Sequence, residues 1–448
     1  MSIVAGSHLR LNDGARVAVV GGGPAGALFA HYLLEYAREA GLRLCVDLYD
    51  GGARAGGSAC NMSAGVLARD FIDNLRAAGI ELPESLIQRR ITGYLLETPL
   101  GTVRLCPPGG AGETLAVFRG PGPRSGSAED SIVNFDRYLL DQVLAEGVRL
   151  HSRYVRGLIV PRSRGGRLRV LCDEGSDDAE EVDLVVGACG LNSRFPEQVA
   201  ALGLGYQPPR RISSIQAELD LGSEAMDRVF GDAIGVYMLN LAGVYFAAVT
   251  PKQRYATVTL VGESVGEQHL SDFLDHPIVR RRLSAAGVSP TVACHCRPRT
   301  AESAAVQPYA DRLVMVGDAA ASRLYKNGLQ SALVTARAAA ATAVLHGIGK
   351  ADFALHYGRV CADIAHDNVS GRFVFGVYEY VIERFPWVAR RVLEVVSAEQ
   401  SQNPPERRPT CALLWHTLSG DRPYSEIRAR LLQPGLYLHM LREGRRAR

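Results

Sequence analysis

Lysine is nearly missing from this chain: Lys252, Lys326 and Lys350 are the only three among 50 basic residues, so arginine carries the positive charge. Excess charge of either sign is also missing. With 50 basic against 47 acidic side chains and a net charge of +3, the chain lacks the basic surplus of a dedicated nucleic-acid binder. The arginines of the tail, Arg442, Arg445, Arg446 and Arg448, read as a solvated end. The nine cysteines are scattered and odd in number, which excludes a small disulfide scaffold and shows no zinc spacing. Cys294-His295-Cys296, their one tight cluster, reads as a strand with both thiols on one face. No apolar run reaches the length of a membrane span; the best, Ala336–Ile348, is short and holds Arg337 and His346. The opening MSIVAGSHLR lacks the apolar core of a signal peptide, so a reducing cytoplasm is the expected location.

What is present is a globular composition: 448 residues, 47% apolar and 22% charged, enough for two or three domains with cores of their own. Arg16-Val17-Ala18-Val19-Val20 is a short apolar run of the kind buried on both faces of a parallel sheet. Gly21-Gly22-Gly23-Pro24-Ala25-Gly26 follows at once, then helical spacing to Glu39, a second apolar run from Leu42 to Tyr49, and Asp50. Strand, glycine-rich turn, helix, strand and acid form the frame of a dinucleotide-binding unit. In that frame Gly21 allows the tight turn, Gly23 lets backbone approach a pyrophosphate, and Gly26 lets the helix pack against the sheet. The helix start offers N–H groups and the positive end of its dipole to phosphate. Asp50 stands where a carboxylate accepts a ribose hydroxyl, about 20 residues beyond the turn. Arg54, in the loop after Asp50, is a candidate for the adenosine ribose or phosphate.

Near the far end, Leu313-Val314-Met315-Val316 is another buried strand; Gly317-Asp318 closes it, and Gly328 opens an alanine-rich helix to about Ile348. In that position Asp318 suits a ribityl chain, and the helix start at Gly328 and Leu329 suits the electron-rich edge of an isoalloxazine. Between lie alternating runs at 212–221, 243–249 and 255–262, as in a second, sheet-rich domain.

With these motifs in order, the chain resembles the FAD-dependent oxidoreductases of the p-hydroxybenzoate hydroxylase fold. Within them it is most similar to the geranylgeranyl-reductase-like branch, through Arg54-x-Gly56-Gly57-x-x-Cys60, Phe118-Arg119-Gly120 and Phe135-Asp136. The resemblance implies an α/β fold with a discontinuous Rossmann-like FAD-binding domain (1–80, 130–205 and 300–350). It further implies a β-rich substrate domain (81–129 and 206–299) and a helical C-terminal cap (351–448). It implies FAD as cofactor and an oxidoreductase activity carried by the flavin. Cys189-Gly190 stands where the superfamily has Asp-Gly, which leaves reduced nicotinamide or another reductant open as electron donor.

Halogenation is set aside, because flavin halogenases use an early lysine and a Trp-x-Trp motif, whereas here no lysine precedes Lys252 and Trp387 and Trp415 stand apart. Three readings stay open. Monooxygenation through a flavin C4a-hydroperoxide would hydroxylate a bulky, aromatic substrate, a peptidyl tryptophan in quinone-cofactor maturation being one case. Reduction of a prenyl chain is the second. The family's aromatic strand reads Phe246-Ala247-Ala248-Val249-Thr250-Pro251 here, with Ala248 and Thr250 in place of bulky partners, which widens the expected substrate pocket beside Arg119. A non-catalytic prenyl carrier is the third. For chemistry the candidates are Lys326 and Tyr325, on the loop before Gly328, and Cys60, which matches a cysteine beside the flavin in some reductases.

Overall fold

The computed structural model describes residues 9–53, 63–109, 113–120, 122–123, 134–161, 166–172, 179–285, 287 and 290–446. Two compact units divide the chain. The first comprises Met1–Ser58, Phe135–Arg211 and Arg299–His366, the second Ala59–Asn134, Ile212–Pro298 and Asp367–Arg448.

The first unit is built on a six-stranded sheet. Its order is Tyr309–Ala310, Leu313–Met315, Leu184–Gly187, Arg16–Val20, Cys45–Tyr49 and Arg149–His151, with only the first strand antiparallel. Val17, Ala18 and Val19 are wholly buried, as a central parallel strand requires. Their neighbours come from far along the chain: Val17 pairs with Val46 on one side and Leu184 on the other. The helices Pro24–Glu39 and Gly328–Ala341 bury Leu28, Phe29, Leu33, Leu333 and Ala336 within this unit. The alanine-rich helix is regular only to Ala341 and continues as a wide turn, Thr342–His346, that Gly347 ends at φ 146°. The continuous run Gly328–His346 is thus 19 residues long and, by length and composition alone, apolar enough to cross a membrane, contrary to the expectation from sequence; Leu333, Ala336, Ala339 and Ala340 on it are buried within the unit.

The second unit carries a seven-strand path, Thr291–Cys296, Arg211–Asp220, Tyr255–Gly262, Val244–Pro251, Ala233–Tyr237, Gly93–Thr98 and Gly101–Leu105. One face holds an apolar core in which Ala217, Leu219, Val258 and Leu260 meet Met226, Phe273 and Val279 of the short helices. On the other face Tyr94, Leu96, Val236 and Ala248 share a core cluster with Val396, Leu414 and Trp415 of the C-terminal helices. Those helices are Pro386–Gln402, Pro409–Ser419, Tyr424–Leu431 and Pro434–Arg446. Prolines that read as turn signals in sequence open three of these helices, because a first-turn residue needs no N–H partner and proline's fixed φ is already helical. Among the described cysteines seven are free, and Cys296 is disulfide-bonded.

Candidate functional site

The glycine turn after the first strand is held by contacts that only glycine allows. Gly21 adopts φ 112°, and a Cβ there would stand 2.5 Å from the Ala188 carbonyl oxygen. One on Gly26 would stand 2.0 Å from the Gly21 oxygen. A Cβ on Gly23, by contrast, would meet nothing within 4 Å, so backbone alone borders open space there. Gly23 caps the helix without a side-chain bond, and Pro24 takes its first turn. The N–H groups of Gly23 and Ala25 have no acceptor among the described residues, whereas Gly26 and Ala27 both donate to the Gly23 oxygen. Two free donors at an open helix start are what a pyrophosphate needs. Asp50 leans over the same turn: its Oδ2 accepts from the Gly22 N–H at 2.9 Å and its Oδ1 from the Gly52 N–H at 2.8 Å. A carboxylate has lone pairs left after two such bonds, so a sugar hydroxyl can still be taken.

The second motif meets the first inside this unit. Gly317 sits at φ 63°, and a Cβ on it would lie 2.7 Å from the Ala25 Cβ. The Gly317 N–H donates to Thr335 Oγ1 at 3.0 Å, and Thr335 donates to the Ser331 oxygen at 2.7 Å, which ties the turn to the following helix. Tyr206 braces it from behind, donating its hydroxyl to the Ala319 oxygen at 2.8 Å. Asp318 is partly exposed, with Oδ1 3.8 Å from a Cβ built on Gly328. The N–H groups of Gly328 and Leu329 likewise have no acceptor among the described residues, and Asn327 caps the helix without a side-chain bond.

The loop between these residues is strained. Tyr325 and Asn327 both stand in the left-handed region, at φ 60° and 54°, with Lys326 between them donating its N–H to the Leu324 oxygen at 2.8 Å. A bulky residue there costs on the order of 1–3 kcal/mol, a strain that clusters at working sites. The Lys326 ammonium is partly buried, and burial pushes its pKa down to about 7. Cys189 closes the middle strand directly against Gly21, its Cα 2.9 Å from a Cβ placed there; burial pushes its thiol up to about 12. Arg54 and Cys60 lie outside the described residues.

The second unit shows a polar row that its sequence masked. Strand register sets Gln216 opposite Thr259 and Glu218 opposite Thr257; Thr259 in turn faces Ala248, and Thr257 faces Thr250. All six are buried on the face opposite Ala217, Leu219, Val258 and Leu260. Thr259 donates to the Gln216 amide oxygen at 2.7 Å and Thr257 to Glu218 at 2.9 Å. Lys252, wholly buried, reaches Glu218 at 3.3 Å and lies 4.2 Å over the Phe118 ring. Burial lowers its pKa and the Glu218 charge opposes that shift. The Thr250 hydroxyl is buried with no hydrogen bond among the described residues. Of the expected pocket residues, Thr250 belongs to this polar row, while Ala248 sits in the core cluster that holds Trp415, with half-buried Phe246 packed against it. Arg119 follows Phe118 and is half-buried, with its Cγ 3.6 Å from a Cβ built on Gly65. Polar alternation in Ser214-x-Gln216-x-Glu218 and Thr257-x-Thr259 was the available signal for this row.

No family model and no curated protein sequence matches this chain. Solved structures do. A geranylgeranyl bacteriochlorophyll reductase-like protein from Thermoplasma acidophilum is similar at TM-score 0.58 and 18% identity, over 94% of this chain and 99% of that one. The flavin-dependent halogenase CmlS is similar at TM-score 0.56 and 18% identity, over 94% of this chain and 76% of its own. The 2,6-dihydroxypyridine-3-hydroxylase of Arthrobacter nicotinovorans follows the chain at TM-score 0.54 and 15% identity, over 82% and 94%. The chain therefore has the fold of these flavoproteins, the α/β architecture expected from its motifs.

Proposed function

We propose that this protein is an FAD-dependent oxidoreductase, and specifically a monooxygenase that hydroxylates a bulky aromatic substrate. The observation that carries the cofactor assignment is the pairing of two helix starts in one unit, each with free N–H donors and each beside a carboxylate. The Gly23 and Ala25 N–H groups would take the pyrophosphate, Asp50 the adenosine ribose, Asp318 the ribityl chain, and Gly328 and Leu329 the ring edge. When bound, the flavin supplies electron transfer and oxygen activation. The halogenase and hydroxylase of shared fold support the same class.

The chain's own contribution to the reaction is proton supply. With a pKa near 7, the Lys326 ammonium can give up a proton and regain it at neutral pH, which suits a general acid. The strained Tyr325–Asn327 loop fixes where that proton is held. Hydroxylation is preferred over prenyl reduction on the support of the hydroxylase of shared fold. The reductase reading is supported by the geranylgeranyl reductase-like protein of shared fold.

The test is stopped-flow absorbance of reduced, FAD-loaded protein mixed with oxygenated buffer, with free aromatics and a tryptophan-bearing peptide offered in turn. Recovery of oxidised flavin lagging behind oxygen uptake, with labelled oxygen in the product, is the expected result. Direct recovery with no product would return the protein to the reductase reading. Asp318→Ala is expected to lower FAD occupancy at least tenfold; full occupancy in that variant would overturn the cofactor assignment.

A further inference from the structure

More than half of the exposed large apolar side chains among the described residues lie in residues 367–448. They are not scattered. At about 100° per residue, Val369, Phe373 and Tyr380 fall within about 40° of one another on the helix Gly358–Arg384. Phe385 and Trp387 carry the row around the turn into the helix Pro386–Gln402, ring to ring, at 5.9 Å from Tyr380 to Phe385 and 6.5 Å from Phe385 to Trp387. Tyr380 is 60% exposed and Trp387 71%, far beyond the single exposed apolar residues that a surface tolerates without function.

Charge follows the same row. Arg372, Arg384 and Arg390 are exposed beside it and form no ion pair among the described residues. Residues 367–448 hold 13 arginines against nine acidic residues, a net charge of +4, although the whole chain is only +3. Two of those acids turn inward, Glu399 to His439 at 2.8 Å and Asp421 to His416 at 2.7 Å. A two-fold contact with a second copy would bring this basic face against itself, with Glu379 and Glu394 as the described acids beside it and Glu394 already paired with Arg391. Tryptophan, tyrosine and phenylalanine ringed by arginine are instead the side chains that suit a lipid headgroup layer over anionic phosphates.

We propose that this helix–turn–helix face rests on an anionic lipid surface, with Tyr380, Phe385 and Trp387 entering the headgroup layer and Arg372, Arg384 and Arg390 meeting lipid phosphates. It is a peripheral contact, and it does not depend on the reaction assigned above.

The two tryptophans make it directly testable, because Trp415 is only 2% exposed and Trp387 lies on the row. Full-length, FAD-loaded protein is mixed with phosphatidylcholine vesicles made with and without phosphatidylglycerol. The expected result is co-sedimentation with the anionic vesicles only, reversed by salt, and a blue shift of Trp387 emission in a Trp415→Phe background. If that background fails to fold, iodide quenching of the native protein gives the same reading, since Trp415 is already shielded. Arg384→Gln and Arg390→Gln should each weaken partitioning about fivefold, and Trp387→Ser should remove the shift, with thermal melting unchanged in all three. Equal binding to neutral vesicles, no binding to anionic ones, or binding that leaves Trp387 emission unmoved would each overturn the proposal. So would shielding of Trp387 by concentration-dependent dimerisation without lipid, which would assign the face to a second copy.

Discussion

Two of the three lysines are withdrawn from water, one in each unit, and their surroundings differ in kind. Lys252, at the end of a strand in the sheet unit, has Glu218 within 3.3 Å, the Phe118 ring beneath it and Thr257 completing the carboxylate's bonds. Burial and counter-charge pull its pKa in opposite directions, and the ion pair ties two neighbouring regions of the sheet. Lys326 sits between two left-handed residues on the loop that leads to the Gly328 helix, and burial is what brings its pKa to about 7. The same side chain is tied to a carboxylate in the sheet unit, whereas on the loop before Gly328 burial lowers its pKa to about 7, the value the proposed proton supply requires.

The largest test of that contrast is Lys252→Met, which leaves Glu218 buried without its cation and should destabilise the protein by about 3–5 kcal/mol, read by denaturant or thermal melting. Adding Glu218→Leu should recover most of the loss, since a buried ion pair and an apolar pair of similar size are close in stability. If the double variant stays as unstable as the single one, the pair is not the unit that matters. Lys326→Met should do the reverse: no loss of stability, and a gain at and below neutral pH where the buried ammonium is charged, with a catalytic step slowed about 10²-fold and FAD still bound. Unchanged turnover would make Lys326 an ordinary loop residue.

Acidity sharpens the same comparison. Between about pH 7 and the ordinary lysine value of 10.5 the unfolded chain holds a proton on Lys326 that the folded chain does not. At this site the unfolded state therefore binds more protons in that window, and Lys326's contribution to stability rises with pH across it, with the full penalty present below pH 7. Lys326→Met should flatten its share of that rise, measured by denaturant midpoints between about pH 7 and 8, before the buried thiols, whose raised values act in the opposite sense, begin to count. The smallest effect belongs to Thr250→Val: a buried hydroxyl without a bond is removed, so stability should stay equal or gain up to about 1 kcal/mol.

The two glycine turns were legible in the sequence because their geometry is enforced by residues with few alternatives. Only glycine fits at Gly21 and Gly26, where backbone oxygens stand 2.5 and 2.0 Å from an added Cβ, and Gly317 is fixed likewise against Ala25. Asp50, Asp318 and Gly328 follow from those fixed points by short connections. The polar row of the second unit was less legible. Its residues alternate in plain view from Ser214 to Glu218, yet alternation does not say which face will be covered, and the meeting of Lys252 with Glu218 depends on cross-strand register. Burial of Lys326 is a tertiary outcome with no local signature. The helical character of 351–448 was legible, but the breaks between its helices were not, because proline marks both the end of one element and the first turn of the next.

The first unit is assembled from three separated stretches of chain, and that has a consequence during synthesis. The strand Arg16–Val20 needs Leu184–Gly187 as its neighbour, and the Gly21–Gly26 turn meets Gly317 only after the second unit's sheet has been translated. At about 5–20 residues per second, the ribosome delivers the Gly328 helix roughly 15–60 s after the glycine turn. Throughout that interval the nascent chain exposes an apolar strand with one edge unpaired, a hazard for aggregation. Dinucleotide added during translation should therefore shorten the vulnerable period only near its end, and a chain truncated before Gly317 should neither hold the cofactor nor be protected by it.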